Sequence, residues 1–202
     1  MAIIDALIQQ WQQQSLIEVF AVVGAVAYVW LAANESIWCW PSGFISTALY
    51  AYVYFDVTLV FQMLLNIYYM AMAIWGFIAW RQHGQDTLQI SSMSVREHIV
   101  MILLGFSFTV VSYYIATLWF DYELLLIDIM VTVFSLLTTY LTVTKRLQSW
   151  LYWSVINAVT IYLLLATGLY LSIVLMIIYL VLAAKGYWQW RQNYNNRQQA
   201  IL

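Results

Sequence analysis

Seven stretches of the sequence stay apolar for the length a helix needs to cross a bilayer, about 20 residues at roughly 1.5 Å each. They cover residues 16–34, 38–55, 57–80, 98–119, 121–144, 148–166 and 168–190. Each is continuously apolar rather than alternating, which excludes barrel strands and leaves helices that satisfy their own backbone. Composition agrees, since 65% of the 202 residues are hydrophobic and 8% charged. That is more apolar surface than one soluble core of this size can hide. The sequence predicts an all-α, polytopic membrane protein.

What the chain lacks narrows it further. Its one cysteine, Cys39, rules out a disulfide framework, and a net charge of −2 offers no basic surface, so no nucleic acid partner is expected. The start, MAIIDALIQQWQQQSLIEVF, has neither a basic region nor a small-residue cleavage site. No cleaved leader is therefore expected, and the Gln-rich stretch around Trp11 is read as lying at the membrane interface. His83 and His98 stand apart, without carboxylates at ligand spacing, which predicts solvated side chains and no metal site. Nucleotide loops, HExxH, GxSxG and paired deep carboxylates are missing, so neither an enzyme nor a resident cofactor is expected.

Basic residues mark cytoplasmic loops. Arg81 and Arg96 fall between spans three and four, Lys145 and Arg146 between five and six, and Lys185, Arg191 and Arg197 at the carboxyl end. With seven crossings all of them share one side. This predicts the amino terminus outside and the carboxyl terminus in the cytoplasm, with Asp5, Asp56, Asp121 and Glu123 at the outer face.

The stretch from Val57 to Gln82 carries an unusual face. At helical spacing Gln62, Asn66, Tyr69, Ala73, Gly76 and Trp80 line up. The face returns 110 residues later as Ser172, Met176, Tyr179, Ala183, Gly186 and Trp190, and both copies close in Trp-Arg-Gln. The same offset pairs Leu16 with Leu126, Ile17 with Ile127, Trp40 with Trp150, Ala48 with Ala158, Tyr52 with Tyr162 and Leu65 with Leu175. Residues 16–82 and 121–192 thus read as two copies of a three-helix unit. A segment over 1–15 precedes them, a loop and linker helix over 83–120 joins them, and a tail over 193–202 follows. Four crossings separate equivalent helices, so both copies point the same way. This is the parallel 3+1+3 plan of SWEET-like secondary transporters, whose substrate site lies between the halves near the midplane. Small residues on span four read as an interface, from which the sequence fixes no oligomeric state.

At midplane depth the spans bring Thr47, Asn66 and Asn157 level, with Gln62 one turn outward and Trp153 one turn inward. Amides in the hydrocarbon layer need partners from a neighbouring helix, water or a ligand. Their convergence on helices of both halves favours a binding site over bonding between helices, and amides suit a polyol or a carboxamide. Tyr69 and Trp153 add flat rings able to stack on an aromatic ligand or enclose a cation. Trp30, Trp38, Trp40, Trp80, Trp150, Trp188 and Trp190 are read as a belt at the headgroups. Asp128, the one acid clearly within a span, can attract a cation, carry a proton or reach water at the interface.

Trp40-Pro41-Ser42-Gly43 opening span two, Gln62 followed by Asn66-Ile67-Tyr68-Tyr69, Trp75-Gly76 and Trp80 in span three, and Trp153-Ser154-Val155-Ile156-Asn157 in span six resemble the PnuC family of bacterial vitamin transporters. The resemblance covers nearly the whole chain. It implies import of nicotinamide riboside, a precursor of NAD, across the bacterial inner membrane by facilitated diffusion. The two repeats would alternate access, and a separate cytoplasmic kinase would trap the product. Ribose and carboxamide would engage the amides, and the pyridinium the rings and Asp128. Thiamine, riboflavin or a sugar carried by the same architecture stays open. So does a channel or a membrane sensor, although the spans offer no charged ring for the first and no output domain for the second.

Overall fold

The computed structural model describes residues 2–56, 60–81 and 88–199. Val57, Gln82 and His83, which enter the sequence argument, lie outside them. Among the described residues there are eight helices: α1 (Ala2–Gln12), α2 (Leu16–Ala33), α3 (Cys39–Asp56), α4 (Val60–Trp80), α5 (Val95–Ala116), α6 (Leu125–Val143), α7 (Ser149–Thr167) and α8 (Tyr170–Gln199). Six contain stretches long and apolar enough to cross a membrane: Leu16–Ala33, Gln62–Trp80, Val95–Ala116, Leu125–Val143, Ser149–Ala166 and Tyr170–Gln199. The remaining long helix, α3, is the more polar one, carrying Ser42, Ser46, Thr47 and the tyrosines Tyr50, Tyr52 and Tyr54.

Helix boundaries follow local chemistry. α5 begins at Val95, three residues before the predicted 98, because Ser94 and Glu97 close a capping box. The Ser94 N–H donates to Glu97 Oε2 at 2.7 Å and the Glu97 N–H to Ser94 Oγ at 3.3 Å. Ser15 and Glu18 start α2 in the same way, each box serving two N–H groups that a helix start leaves unpaired. Pro41 sits in the first turn of α3, where its missing N–H costs nothing. At the other end of the chain α8 runs on to Gln199, so the segment read as a tail continues the helix. The amino-terminal segment is likewise held. On α1, Gln10 Nε2 donates to the Gly168 carbonyl and Gln10 Oε1 accepts from the Leu171 N–H, both at 2.9 Å, at the turn from α7 to α8.

Backbone neighbours define the architecture. α3 packs between α2 and α4, α7 between α6 and α8, α4 meets α6, and α8 meets α2. Six helices therefore close into a ring in the order α2, α3, α4, α6, α7, α8, while α5 lies outside against α6 and α1 outside against α8. The 110-residue offset carries the ring onto itself. α2 and α6 end at Ala33 and Val143, α3 and α7 start at Cys39 and Ser149, and α4 and α8 start at Val60 and Tyr170. The turns after α2 and α6 each hold one left-handed residue, Glu35 at φ 54° and Lys145 at φ 49°.

The two seams between the halves are alike, with acceptors offset by one residue. Trp80 on α4 donates its indole N–H to the Val143 carbonyl at 2.9 Å, and Trp190 on α8 donates to the Ala32 carbonyl at 3.0 Å. Both carbonyls lie in the last turn of their helices; Trp80 serves the Val143 carbonyl at the end of α6, while the Ala32 carbonyl also accepts from the Glu35 N–H at 3.0 Å, so Trp190 adds a second bond there. Further along, Trp75 lies 5.6 Å from Tyr140 across one seam, and at the corresponding position of the other the Lys185 ammonium sits 3.1 Å over Trp30.

Among the described residues, the hydrogen bonds of the segment leading into α5 run to the second half. Ser91 N–H donates to the Lys145 carbonyl at 3.0 Å and Leu147 N–H to the Ser91 carbonyl at 2.9 Å. Gln148 donates to Ser92 Oγ at 2.7 Å and accepts from the Met93 N–H at 2.8 Å. Arg146 pairs with Glu97 at 2.8 Å. His98, expected to be solvated, belongs to the same clamp: its Nδ1 lies 2.9 Å from the Tyr152 hydroxyl, with the two rings stacked.

Candidate functional site

One end of the ring is closed by a row of four indoles. Trp40, Trp80, Trp190 and Trp150 follow one another with ring centroids 5.2, 6.0 and 5.4 Å apart. All four are buried, which corrects the belt reading for them, whereas Trp30, Trp38 and Trp188 are exposed as a belt requires. The reason lies in the facing glycines. A Cβ on Gly76 would come 2.4 Å from the Trp40 ring, and one on Gly186 2.6 Å from the Trp150 ring. Only a residue without a side chain lets an indole lie flat on the neighbouring helix there. The indole N–H groups of Trp40 and Trp150, equivalent in the two halves, have no partner among the described residues.

Beyond this floor sits an ionic cluster. Glu35 accepts from Lys145 at 3.2 Å, from Arg197 at 3.4 Å and from Asn193 at 2.6 Å, and the Lys145 ammonium lies 4.5 Å over the Trp80 ring. Burial pushes the Lys145 ammonium below its ordinary range, and the Glu35 carboxylate pulls it part of the way back.

On the other side of the floor the ring interior carries the predicted polar face. Along α4 the residues Asn66, Met72, Ala73, Gly76 and Trp80 are buried, as the helical spacing requires. The Tyr28 ring packs against Trp40 with centroids 5.8 Å apart and the Tyr69 ring against Tyr68 at 5.7 Å, and Ser135 of α6 is buried. Asn66 Nδ2 donates to the Gln62 carbonyl one turn away at 2.8 Å. Its Oδ1 has no protein partner among the described residues. Asn157 on α7 is buried, and its amide likewise has no protein partner among the described residues. α4 and α7 are not neighbours in the ring, because α6 separates them. Two buried amides thus sit on helices that are not neighbours in the ring, each with hydrogen-bonding capacity to spare.

The other predicted residues fall as follows. Trp153 on α7 donates its indole N–H to Thr142 Oγ1 on α6 at 3.0 Å. Thr47 returns its hydroxyl to its own helix, at 2.8 Å from the Gly43 carbonyl. Gln62 is exposed at the far end of the face. Asp128 stands in the first turn of α6 and accepts from the Tyr122 hydroxyl at 2.6 Å, apart from the amides. Sequence reasoning missed Tyr28, Ser135, Thr142 and the Glu35 cluster. A signal for the last existed, since Glu35 and Lys145 are equivalent under the offset and opposite in charge. A groove of about 460 Å³ between α2 and α3 is a poor rival, since it opens laterally and its lining is apolar except for Ser42. That hydroxyl is already bonded to the Gly24 carbonyl.

Comparison with known proteins bears on this interior. The family described as nicotinamide mononucleotide transporter matches residues 15–192. A curated relative, the nicotinamide riboside transporter PnuC of Neisseria mucosa, is 28% identical over 157 residues. The match takes in 72% of this chain and 58% of that relative, so the chain spans less than two thirds of the relative's length. Among solved structures, the crystal structure of the vitamin B3 transporter PnuC superposes with a TM-score of 0.76 at 23% identity. That superposition covers 96% of this chain and 90% of the other, a likeness of fold.

Proposed function

Since the chain belongs to the nicotinamide mononucleotide transporter family, a family of membrane transporters rather than enzymes, we propose that it carries nicotinamide riboside across the bacterial inner membrane. The observation that carries this reading is the pair of buried amides, Asn66 and Asn157, held on different helices with unused bonding capacity. A carboxamide and a ribose each need such donors and acceptors. Gln62 and Thr47 extend the polar lining, while Tyr69 and Trp153 provide flat faces for a cationic pyridinium. Asp128 draws the cation towards the entrance. The riboside suits the interior better than a phosphorylated form, because the basic side chains belong to the floor, the seams or the ends rather than to the amide face.

In mechanism, the halves 16–82 and 121–192 rock about the two seams, exposing the amide site alternately to each side, with 83–120 as linker and seven crossings in all. The amino terminus lies outside, and the indole floor with its ionic cluster forms the cytoplasmic gate. Transport is facilitated diffusion, driven by phosphorylation of the product by a separate cytoplasmic kinase. The working unit is a homo-oligomer such as a trimer, in contact with lipid.

Titration of the purified protein with nicotinamide riboside, its 5′-phosphate, thiamine and riboflavin tests the reading. Tight binding of the riboside alone is expected, and Asn66→Leu or Asn157→Leu should weaken it at least tenfold. Preference for another vitamin would overturn the substrate, and unchanged affinity in both folded variants would overturn the site.

A further inference from the structure

The two halves fill equivalent positions of the repeat with different residues. In the first half α2 contributes the aromatic residue, Tyr28, and α3 contributes Gly43. A Cβ on Gly43 would approach the Tyr28 ring to 2.9 Å, so the ring lies directly on the glycine. In the second half the equivalents are exchanged: α6 contributes Thr138 and α7 contributes Trp153. Large and small residues have traded helices, and only the second half has an indole on its middle helix at this level.

That indole is not free to turn. Trp153 Nε1 donates to Thr142 Oγ1 at 3.0 Å, and the Thr142 hydroxyl donates onward to the Thr138 carbonyl at 3.0 Å. A hydroxyl has one proton, and here it is committed to the carbonyl, which leaves the oxygen to accept from the indole and fixes the direction of the relay. Thr142 is 2% exposed, so water does not compete. The first half has no such anchor, because its equivalent of Thr142 is Ala32, whose carbonyl serves Trp190 instead.

The geometry points to Thr142 as a positioning residue for the ligand. Resting on the reading that Trp153 lines the nicotinamide riboside site, it holds the indole plane against which a flat, cationic heterocycle stacks. A stacking face is worth most when its orientation is set beforehand. The residue therefore favours an aromatic pyridinium over the same riboside with its ring reduced, which is neither cationic nor fully planar.

The test is calorimetric titration of the full-length protein with nicotinamide riboside and with its dihydro form. Thr142→Val keeps the shape and removes the hydroxyl. It should weaken the riboside about three- to tenfold and leave the dihydro form within about twofold, whereas Thr142→Ser restores the difference. In a Trp153→Phe background, which has no N–H, Thr142→Val should add nothing. Equal loss for both ligands, or the same loss in the Trp153→Phe background, would overturn the positioning role in favour of general packing. If Trp153→Ala abolishes binding while Thr142→Val does nothing, positioning alone fails. If Trp153→Ala binds as the wild type does, the site reading itself fails. Should Thr142→Val not fold, Trp153→Phe alone must show the selective loss for the proposal to stand.

Discussion

Glu35 and Lys145 occupy the same position in the two halves, and they bond each other. Their backbones are both left-handed, and carboxylate and ammonium meet at 3.2 Å. A two-fold relation between the halves places its axis between these side chains, on the far side of the indole floor from the amides.

The partners of this pair are unequal. Glu35→Gln leaves the Lys145 ammonium buried near Arg197 with no counter-charge, a change that costs about 3 kcal/mol. Lys145→Met leaves Glu35 its bonds to Arg197 and Asn193, so the loss should be about 1 kcal/mol. Denaturant unfolding in detergent measures both, and equal losses would contradict the arrangement.

The Glu35→Gln defect should also shrink as pH rises. Burial already lowers the Lys145 pKa, and removing Glu35 takes away the main opposing influence. The folded variant then binds fewer protons than the unfolded chain between its lowered pKa and the ordinary lysine value of about 10.4. Stability in that window rises with pH. Melting curves of wild type and variant from about pH 7 to about pH 9.5 should converge.

Two kinds of glycine should respond differently. Gly76→Ala and Gly186→Ala force a methyl group into an indole, at 2.4 and 2.6 Å, and should each cost about 1–3 kcal/mol by overpacking. Gly168→Ala meets nothing within 4 Å and pays only for its left-handed φ of 72°, about 1 kcal/mol. Combining Gly76→Ala with Trp40→Phe should be less damaging than the sum of the two. Thermal unfolding of the three glycine variants, Trp40→Phe and the double variant distinguishes these cases.

Gln10 predicts a local effect. Gln10→Ala removes the bonds to Gly168 and Leu171 while leaving the ring intact. Amide exchange should accelerate by about tenfold over residues 168–173, corresponding to roughly 1–1.5 kcal/mol of lost local protection. Exchange in α3 and α6 should not change. Faster exchange throughout would mean that α1 supports the whole bundle.

Much of this was legible because apolar periodicity and the 110-residue offset are both local to the sequence. The inner face of α4 follows from spacing alone, and Asn66 and Asn157 stand out because an amide inside an apolar run has few places to go. The tryptophans were harder. An indole at the end of a membrane span looks the same in sequence whether it points at lipid or at a glycine on the next helix. Only the coincidence of Trp40 with Gly76, and of Trp150 with Gly186, marks the difference. Asp128 illustrates depth, since α6 starts at Leu125 rather than at 121 and leaves the acid in the first turn beside Tyr122. Thr142 could not be singled out, because its role depends on which neighbouring helix supplies the indole.

The charges at the axis also bear on how such a chain could have been assembled. Two identical three-helix units could once have paired through this contact only if the residue on the axis tolerated a copy of itself. Now a pair of first halves would set Glu35 against Glu35, and a pair of second halves Lys145 against Lys145, in a buried position where like charges repel strongly. Opposite charges at this contact favour the pairing of unlike halves over the pairing of like ones. If the halves are supplied as separate polypeptides, they should therefore assemble one to one.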